Sequence, residues 1–307
     1  MDRRSFLKWQ MHGLLWFSAA PPLFSLADQA LADTSPDVAI VKGKPAAATR
    51  AAVEMLGGMG RFVKPGNRVV IKPNMSFARD VDSGTNTHPE VVREILILCK
   101  EAGASQVRIL DHSLQNPEQS LDISGIRPAC DSVEKGICHH LMSAGHYVEA
   151  DIPEAAEMRR NSFMRDVLAA DVLIACPTAK SHSGAGVSLS LKGQMGLIFD
   201  RRIMHSSYNL DSSIVDMNQR IKPALAIIDA TRVLTTGGPG GPGKVIAPGE
   251  IIASADPVAA DSTAIAAYEW YGRKIKPAQV GHVRLAHERK LGRMDIENLL
   301  TKRLDLA

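Results

Sequence analysis

Residues 171–205 read DVLIACPTAKSHSGAGVSLSLKGQMGLIFDRRIMH, an apolar run that opens into a cation-rich loop. Val172 to Cys176 has the form of a buried β-strand, and Pro177 breaks it. Lys180, His182, Lys192, Arg201, Arg202 and His205 follow among small residues, whereas Asp171 and Asp200 are the only acids of the stretch. Surface charge is ordinarily mixed in sign. This order therefore fits a site for an anionic ligand or a metal-linked acid–base site, with a basic surface loop as the plainer alternative.

Working outward, the same order recurs. Val38–Val41, Arg68–Ile71, Gln106–Leu110, Leu225–Ile228 and Ile251–Ser254 read as short strands. They alternate with helical patterns over Ala46–Leu56, Glu90–Ala102, Asp211–Ile221 and Val258–Tyr271. Pro89 suits a first helical turn, where its missing N–H costs nothing, and Gly57, Gly103 and Pro223 mark helix ends. Further helices are expected over 132–142, 162–170, 277–291 and 294–304, and a strand over 147–150. The alternation predicts an α/β fold, a mostly parallel sheet with helices on both faces. In such sheets ligands gather outside the carboxyl ends of the strands.

That rule orders the candidates. Lys72 and Asn74 follow one strand, Asp111 and His112 a second, Lys180 and His182 a third, and Asp229 a fourth. Parallel strands would bring them to one rim. Lys180, His182, Lys192 and His205 are the candidate catalytic residues. Lys72, Asn74, Asp111, His112, Asp229 and the glycines Gly237, Gly238, Gly240 and Gly241 are the candidate ligand-binding residues. A lysine offers a point charge to a carboxylate or phosphate, or a base where burial lowers its pKa, and the histidines suit metal ligation or proton transfer. The adjacent His139 and His140 would point about 100° apart on a helix and read as surface or packing residues. The loop TTGGPGGPGK at 235–244 lacks the residue order of a nucleotide P-loop or a dinucleotide fingerprint. A mobile lid over the rim is the functional expectation for it, a flexible connection the plainer one. Asp256 and Asp261 either join Asp111 and Asp229 in an oxygen-rich metal site or serve helix N-termini.

At the N-terminus, Arg3-Arg4-Ser5-Phe6-Leu7-Lys8 and the weakly apolar run Trp9–Ala27 have the form of a twin-arginine export signal, with Ala30-Leu31-Ala32 as a cleavage site. The expectation is a signal peptide over 1–32 and a single α/β domain over 33–307. The chain would be periplasmic, with the twin-arginine translocation machinery as a partner. His12, Pro21 and Pro22 interrupt the apolar run, so no stable membrane span is expected after cleavage. Because that route carries folded proteins, often with a cofactor inserted, a metal ion or iron–sulfur cluster stays open as a cofactor. Lys and Arg total 36 against 33 Asp and Glu, a balance that gives no footprint for nucleic acid. The spacings of Cys99, Cys130, Cys138 and Cys176 match neither a zinc ribbon nor a ferredoxin run. Cys99 reads as a core thiol, and a Cys130–Cys138 disulfide is an option in an oxidising compartment.

Several segments resemble one family when taken together. They are VVIKPN (69–74) with THPEVV (87–92), AKSHSGAGVSLSLKGQMGLI (179–198) with RRIMH (201–205), PALAIIDA (223–230) before the glycine loop, and IIASADPVAADS (251–262). In this order they resemble the bacterial and archaeal domain of unknown function 362 family over about residues 68–265. The resemblance implies a shared site at these positions, and it is similar in kind to proteins found beside ferredoxin-type iron–sulfur domains. No such domain is expected here, because the usual cysteine runs are missing from the sequence. It reads Pro177-Thr178-Ala179-Lys180-Ser181-His182 where the family wording is nearer Pro-Lys-x-Lys-x-His, and Lys192-Gly193 where Lys-Asn is common. Three functions stay open: an enzyme acting on a small anionic molecule, a redox accessory with a metal centre, and a periplasmic ligand-binding protein.

Overall fold

In a computed structural model that describes residues 35–306, the short apolar runs become strands, most of them in one large sheet. Along the chain these are β1 (Val38–Lys42), β2 (Arg68–Pro73), β3 (Gln106–Asp111), β4 (Cys138–His140), β5 (Tyr147–Asp151), β6 (Arg160–Met164), β7 (Val172–Cys176), β8 (Thr178–His182) and β9 (Gly186–Ser188). They continue with β10 (Leu225–Leu234), β11 (Val245–Ile246), β12 (Glu250–Ser254), β13 (Glu269–Trp270), β14 (Arg273–Lys274) and β15 (Thr301–Asp305). The helices are α1 (Pro45–Met55), α2 (Pro89–Glu101), α3 (Pro117–Ile123), α4 (Ile126–Asp131), α5 (Arg165–Ala169), α6 (Ser190–Gly193), α7 (Arg202–Ser206), α8 (Leu210–Arg220), α9 (Pro257–Ala267) and α10 (Gly281–Glu288).

The main sheet runs β15-β1-β12-β10-β7-β2-β3-β4. From β10 to β4 every neighbouring pair is parallel, whereas β12 runs antiparallel to both β10 and β1. β5 with β6, and β13 with β14, form separate antiparallel pairs. Helices cover both faces, which is why β7 and β10 are buried along their whole length and why β7 and the first four residues of β10, Leu225–Ile228, read as apolar runs. One face packs Val70, Leu110, Leu173 and Ile228 towards α8 and α9; the other packs Ile71, Ile109, Ile174 and Ile227 towards α1 and α2. Residues that alternate along one strand thus serve two cores. The fold is the expected α/β arrangement with a mostly parallel sheet.

Several local expectations are corrected. The helix expected over 132–142 is absent: Gly136 takes φ +73°, and the chain turns there into β4, which pairs with β3. His139 and His140 therefore sit on a strand. The first part of 162–170 is the end of β6, and only Arg165–Ala169 is helical. The segment 294–304 ends in β15, which adds to β1 in parallel instead of forming a helix. The segment expected to be a twin-arginine signal with its cleavage site, residues 1–32, lies outside the described residues. No helix among the described residues is long and apolar enough to cross a membrane.

Asp229, inside β10, holds strand ends together. Its carboxylate accepts the N–H of His88 at 2.7 Å, the N–H of Thr231 at 3.0 Å and the Thr231 hydroxyl at 2.5 Å, and it pairs with Arg232 at 2.8 Å. Both members of the ion pair are buried. Asp229→Ala would leave the Arg232 guanidinium buried without a countercharge, which is expected to lower the unfolding free energy by about 3–5 kcal/mol. Urea denaturation measures this, and a loss below about 1 kcal/mol would show that Arg232 finds water instead.

Candidate functional site

The carboxyl ends of the parallel strands open on a cavity of about 270 Å³. β2 delivers Lys72, β3 delivers Asp111, and β8, which continues past the Pro177 break, delivers Lys180 and His182. Period-two alternation along β8 puts the last two on one side of the strand. The short helix α6 brings Lys192, and the following segment contributes Met195, Gly196, Arg201, Arg202 and His205. Ser76, Phe77, Leu114, Ser188 and Pro239 complete much of the wall.

Lys72 and Asp111 form a buried ion pair, Nζ to Oδ1 at 3.1 Å. Lys72 also donates to the carbonyl of Pro73. Asp111 Oδ2 accepts the Ser76 hydroxyl at 2.9 Å and the N–H of Met75 at 3.2 Å, and Oδ1 accepts the N–H of His112 at 2.8 Å. Burial pushes the Asp111 carboxyl up, but Lys72, His140, Arg201 and the Ser76 hydroxyl outweigh it and hold the group below its ordinary value. Burial lowers Lys72, and Asp111 opposes that shift.

Lys180 and Lys192 have no such partner among the described residues. Lys180 donates to the carbonyl of Thr85 at 2.6 Å and lies 4.8 Å from the centre of the Phe77 ring, a cation–π contact. Burial brings it down to about 7, with Lys72 and Lys192 adding to the shift against Asp111. Lys192 also falls to about 7, through burial and then the charge of Arg201. Arg201 is fixed by donating to the carbonyls of His112 at 2.8 Å and Ser113 at 2.9 Å. The helix that carries Lys192 is anchored by Asp261, which accepts the N–H groups of Ser190 at 2.8 Å and Leu191 at 3.0 Å.

His182 is neutral. Its Nδ1 accepts the N–H groups of Gly184 and Ala185, both at 3.1 Å, so the ring proton resides on Nε2. Burial and the charges of Lys192, His205 and Lys180 bring its pKa down to about 3. The ring stacks on His205 with centroids 5.9 Å apart.

Among the sequence candidates, Lys72, Asn74, Asp111, Lys180, His182, Lys192 and His205 all line the cavity. Asn74 also ties strands together, its Oδ1 accepting the N–H of Thr178 at 3.0 Å. The His112 ring lies apart, stacked on Phe199. Asp229 is committed to Arg232 and to backbone, away from the cavity wall. Of the glycine loop, Pro239 reaches the wall; Gly237, Gly238, Gly240 and Gly241 do not line it. The loop packs closely against β8 and Phe77. The Gly238 N–H donates to the Ser181 hydroxyl at 3.0 Å, and a Cβ at Gly238 would fall 1.9 Å from the Ser181 carbonyl oxygen.

Asp256 caps α9 by accepting the N–H groups of Val258 and Ala259, and with Asp261 spent on α6 the helix-terminus reading is the one observed for both acids. Among the described residues no group of three or more His, Cys, Asp or Glu side chains converges to hold a metal ion. All four cysteines are buried and unbridged. The Cys130–Cys138 disulfide is not formed, although the two thiols are close enough that Cys138, with burial, pushes the Cys130 thiol up. This donor set does not fit a metal ion or an iron–sulfur cluster.

A family model described as a domain of unknown function, DUF362, matches residues 69–266, more than half of the chain. The chain belongs to the DUF362 family. The matched span holds every residue that lines the cavity. This DUF362 protein is similar to a thylakoid-associated protein of Synechocystis sp., 27% identical over 228 residues that cover 71% of this chain and 68% of the relative. Among solved structures it is similar to the lactate racemase apoprotein of Thermoanaerobacterium thermosaccharolyticum, at 16% identity and a TM-score of 0.43, over 64% of this chain and 51% of that one. A protein of Thermotoga maritima aligns at 12% identity and a TM-score of 0.38, over 61% and 51%. The chain thus spans about half the length of those two structures.

Gly196 makes the ion pair fit. A Cβ there would lie 1.9 Å from Asp111 Oδ1 and 2.6 Å from Lys72 Cε, whereas at Gly193 the nearest atom would be Pro177 Cβ at 3.6 Å. Gly196→Ala is therefore expected to cost about 1–3 kcal/mol by overpacking, and Gly193→Ala to leave the melting temperature nearly unchanged. Thermal melts of the two variants side by side check this, and equal melting temperatures would count against the steric argument.

Proposed function

We propose that this DUF362 protein binds a small anion bearing a carboxylate or phosphate in the strand-end cavity and moves a proton on it with Lys180 and Lys192. One observation carries the reading: two buried lysines face one cavity, and neither is in an ion pair among the described residues. Burying unpaired charge is unfavourable, so the ligand-free site holds its protons weakly. An arriving anion supplies the missing countercharge and favours the protonated lysines. With both groups near 7, one neutral amine and one ammonium coexist at neutral pH, which suits a base and an acid acting on the same ligand. Neutral His182 adds an Nε2–H donor and is too acidic as an imidazolium to serve as the base near neutrality.

Sulfate keeps its charge across the working pH range, so its binding reports on the protein alone. Protonated lysines are needed, and their protons leave above about 7. Sulfate affinity measured by calorimetry is therefore expected to fall by roughly tenfold or more from pH 6 to pH 9, and by about tenfold in Lys192→Met at pH 6. An affinity independent of both pH and Lys192 would overturn the assignment.

The Arg3-Arg4 pair and the apolar run after it support a periplasmic setting reached through the twin-arginine machinery. Changing both arginines to lysine is expected to leave the precursor in the cytoplasm on cell fractionation. Undiminished periplasmic protein from that double variant would argue for another route.

A further inference from the structure

The three lysines of the cavity are engaged in three different ways. Lys72 is held by Asp111 and by the carbonyl of Pro73. Lys180 is held by the carbonyl of Thr85 and the face of Phe77. Lys192 makes no hydrogen bond or ion pair among the described residues, yet it is only 7% exposed and lines the cavity. Burial strips much of the solvation from an ammonium group in that position, and Arg201 adds like charge, so the neutral amine is favoured. A neutral primary amine has a free lone pair, and a desolvated lysine beside other cations is the setting in which lysine serves as a nucleophile.

We infer that Lys192 forms an imine with the carbonyl group of a small anion, an aldehyde or 2-oxo compound whose carboxylate or phosphate is held by Arg201 and Lys180. This rests on the cavity being an anion site. It adds the substrate class and the nucleophile. In the step, the Lys192 lone pair makes the C–N bond while the carbonyl π pair moves onto oxygen. The resulting carbinolamine loses that oxygen as water, which carries one proton from the Lys192 nitrogen and one from the Lys180 ammonium. The C–O bond breaks with its electron pair on the departing water. A protonated imine on Lys192 and a neutral Lys180 remain, and nothing is oxidised or reduced. Lys180, with a pKa of about 7, can give that proton near neutrality. His182 cannot, because its ring is already neutral with Nδ1 committed to backbone.

Glyoxylate, which carries an aldehyde and a carboxylate, is the probe. The full-length protein is incubated with glyoxylate and cyanoborohydride at pH 7, and intact mass and peptide mapping locate the reduced adduct. One adduct per chain at Lys192 is expected, formed at least tenfold faster than with acetaldehyde and suppressed by sulfate. Lys192→Arg, with folding checked by thermal melting, is expected to lose the adduct. No adduct, an adduct at Lys180, or labelling spread evenly over exposed lysines would overturn the inference. If calorimetry shows sulfate binding and no adduct forms, the covalent role fails while the anion site stands. If sulfate does not bind and Lys192 is still labelled, the nucleophile stands and the anion reading fails.

Discussion

The buried pair of Lys72 and Asp111 is the constraint on which the strand-end region depends. Removing two charges from water costs several kcal/mol each, and the loss is recovered only when the geometry is good and the remaining lone pairs are satisfied. Here the carboxylate also takes the Ser76 hydroxyl and the Met75 and His112 N–H groups. Those bonds fix the loop after β2 against the end of β3. Gly196 is required beside the pair because no side chain fits there. Arg201 in turn holds the two carbonyls that follow Asp111. One neutralised pair thus organises three segments distant in sequence, and the other two lysines face what space is left.

Two acids at strand ends show how far the sequence can be read. Asp111 and Asp229 both follow apolar runs, and nothing in those runs separates them. The difference lies in the neighbours: Asp111 meets Lys72 across the parallel β2–β3 ladder, and Asp229 meets Arg232 on its own strand. Lysines after strands were legible as site residues because the parallel topology fixes which end of each strand they occupy. Arg201 stood out as a cation, but its hold on the His112 and Ser113 carbonyls was not legible. Phe77 and Pro239 carried no signal, since an apolar residue in a polar loop reads the same whether it lines a cavity or packs beneath one.

The fold was legible where burial is complete. β7 and the start of β10 lie between two helical layers, so Val172–Cys176 and Leu225–Ile228 are continuous apolar runs. It failed at the sheet edges. β15 is exposed along its whole length and carries Lys302 and Arg303, a composition that protects an edge from further pairing but removes the strand pattern. The segment 132–142 places Val133, Ile137 and Leu141 at helical spacing. Gly136 breaks it, and the far half pairs with β3 as the opposite edge.

β8 adds a consequence of its own. It pairs with β10 at Asp229 and again at Leu234, with a register shift between them. Ser181 receives the glycine loop and Ala179 packs in the core, while Lys180 and His182 line the cavity. A slip of one residue in this strand would turn every side chain over, replacing the charged lining with a methyl group and a hydroxyl and burying a lysine among apolar side chains. The chemistry of the cavity is thus encoded in parity as well as in residue type. A single-residue insertion or deletion between Pro177 and Lys180 would be expected to erase it even in a chain that still folds.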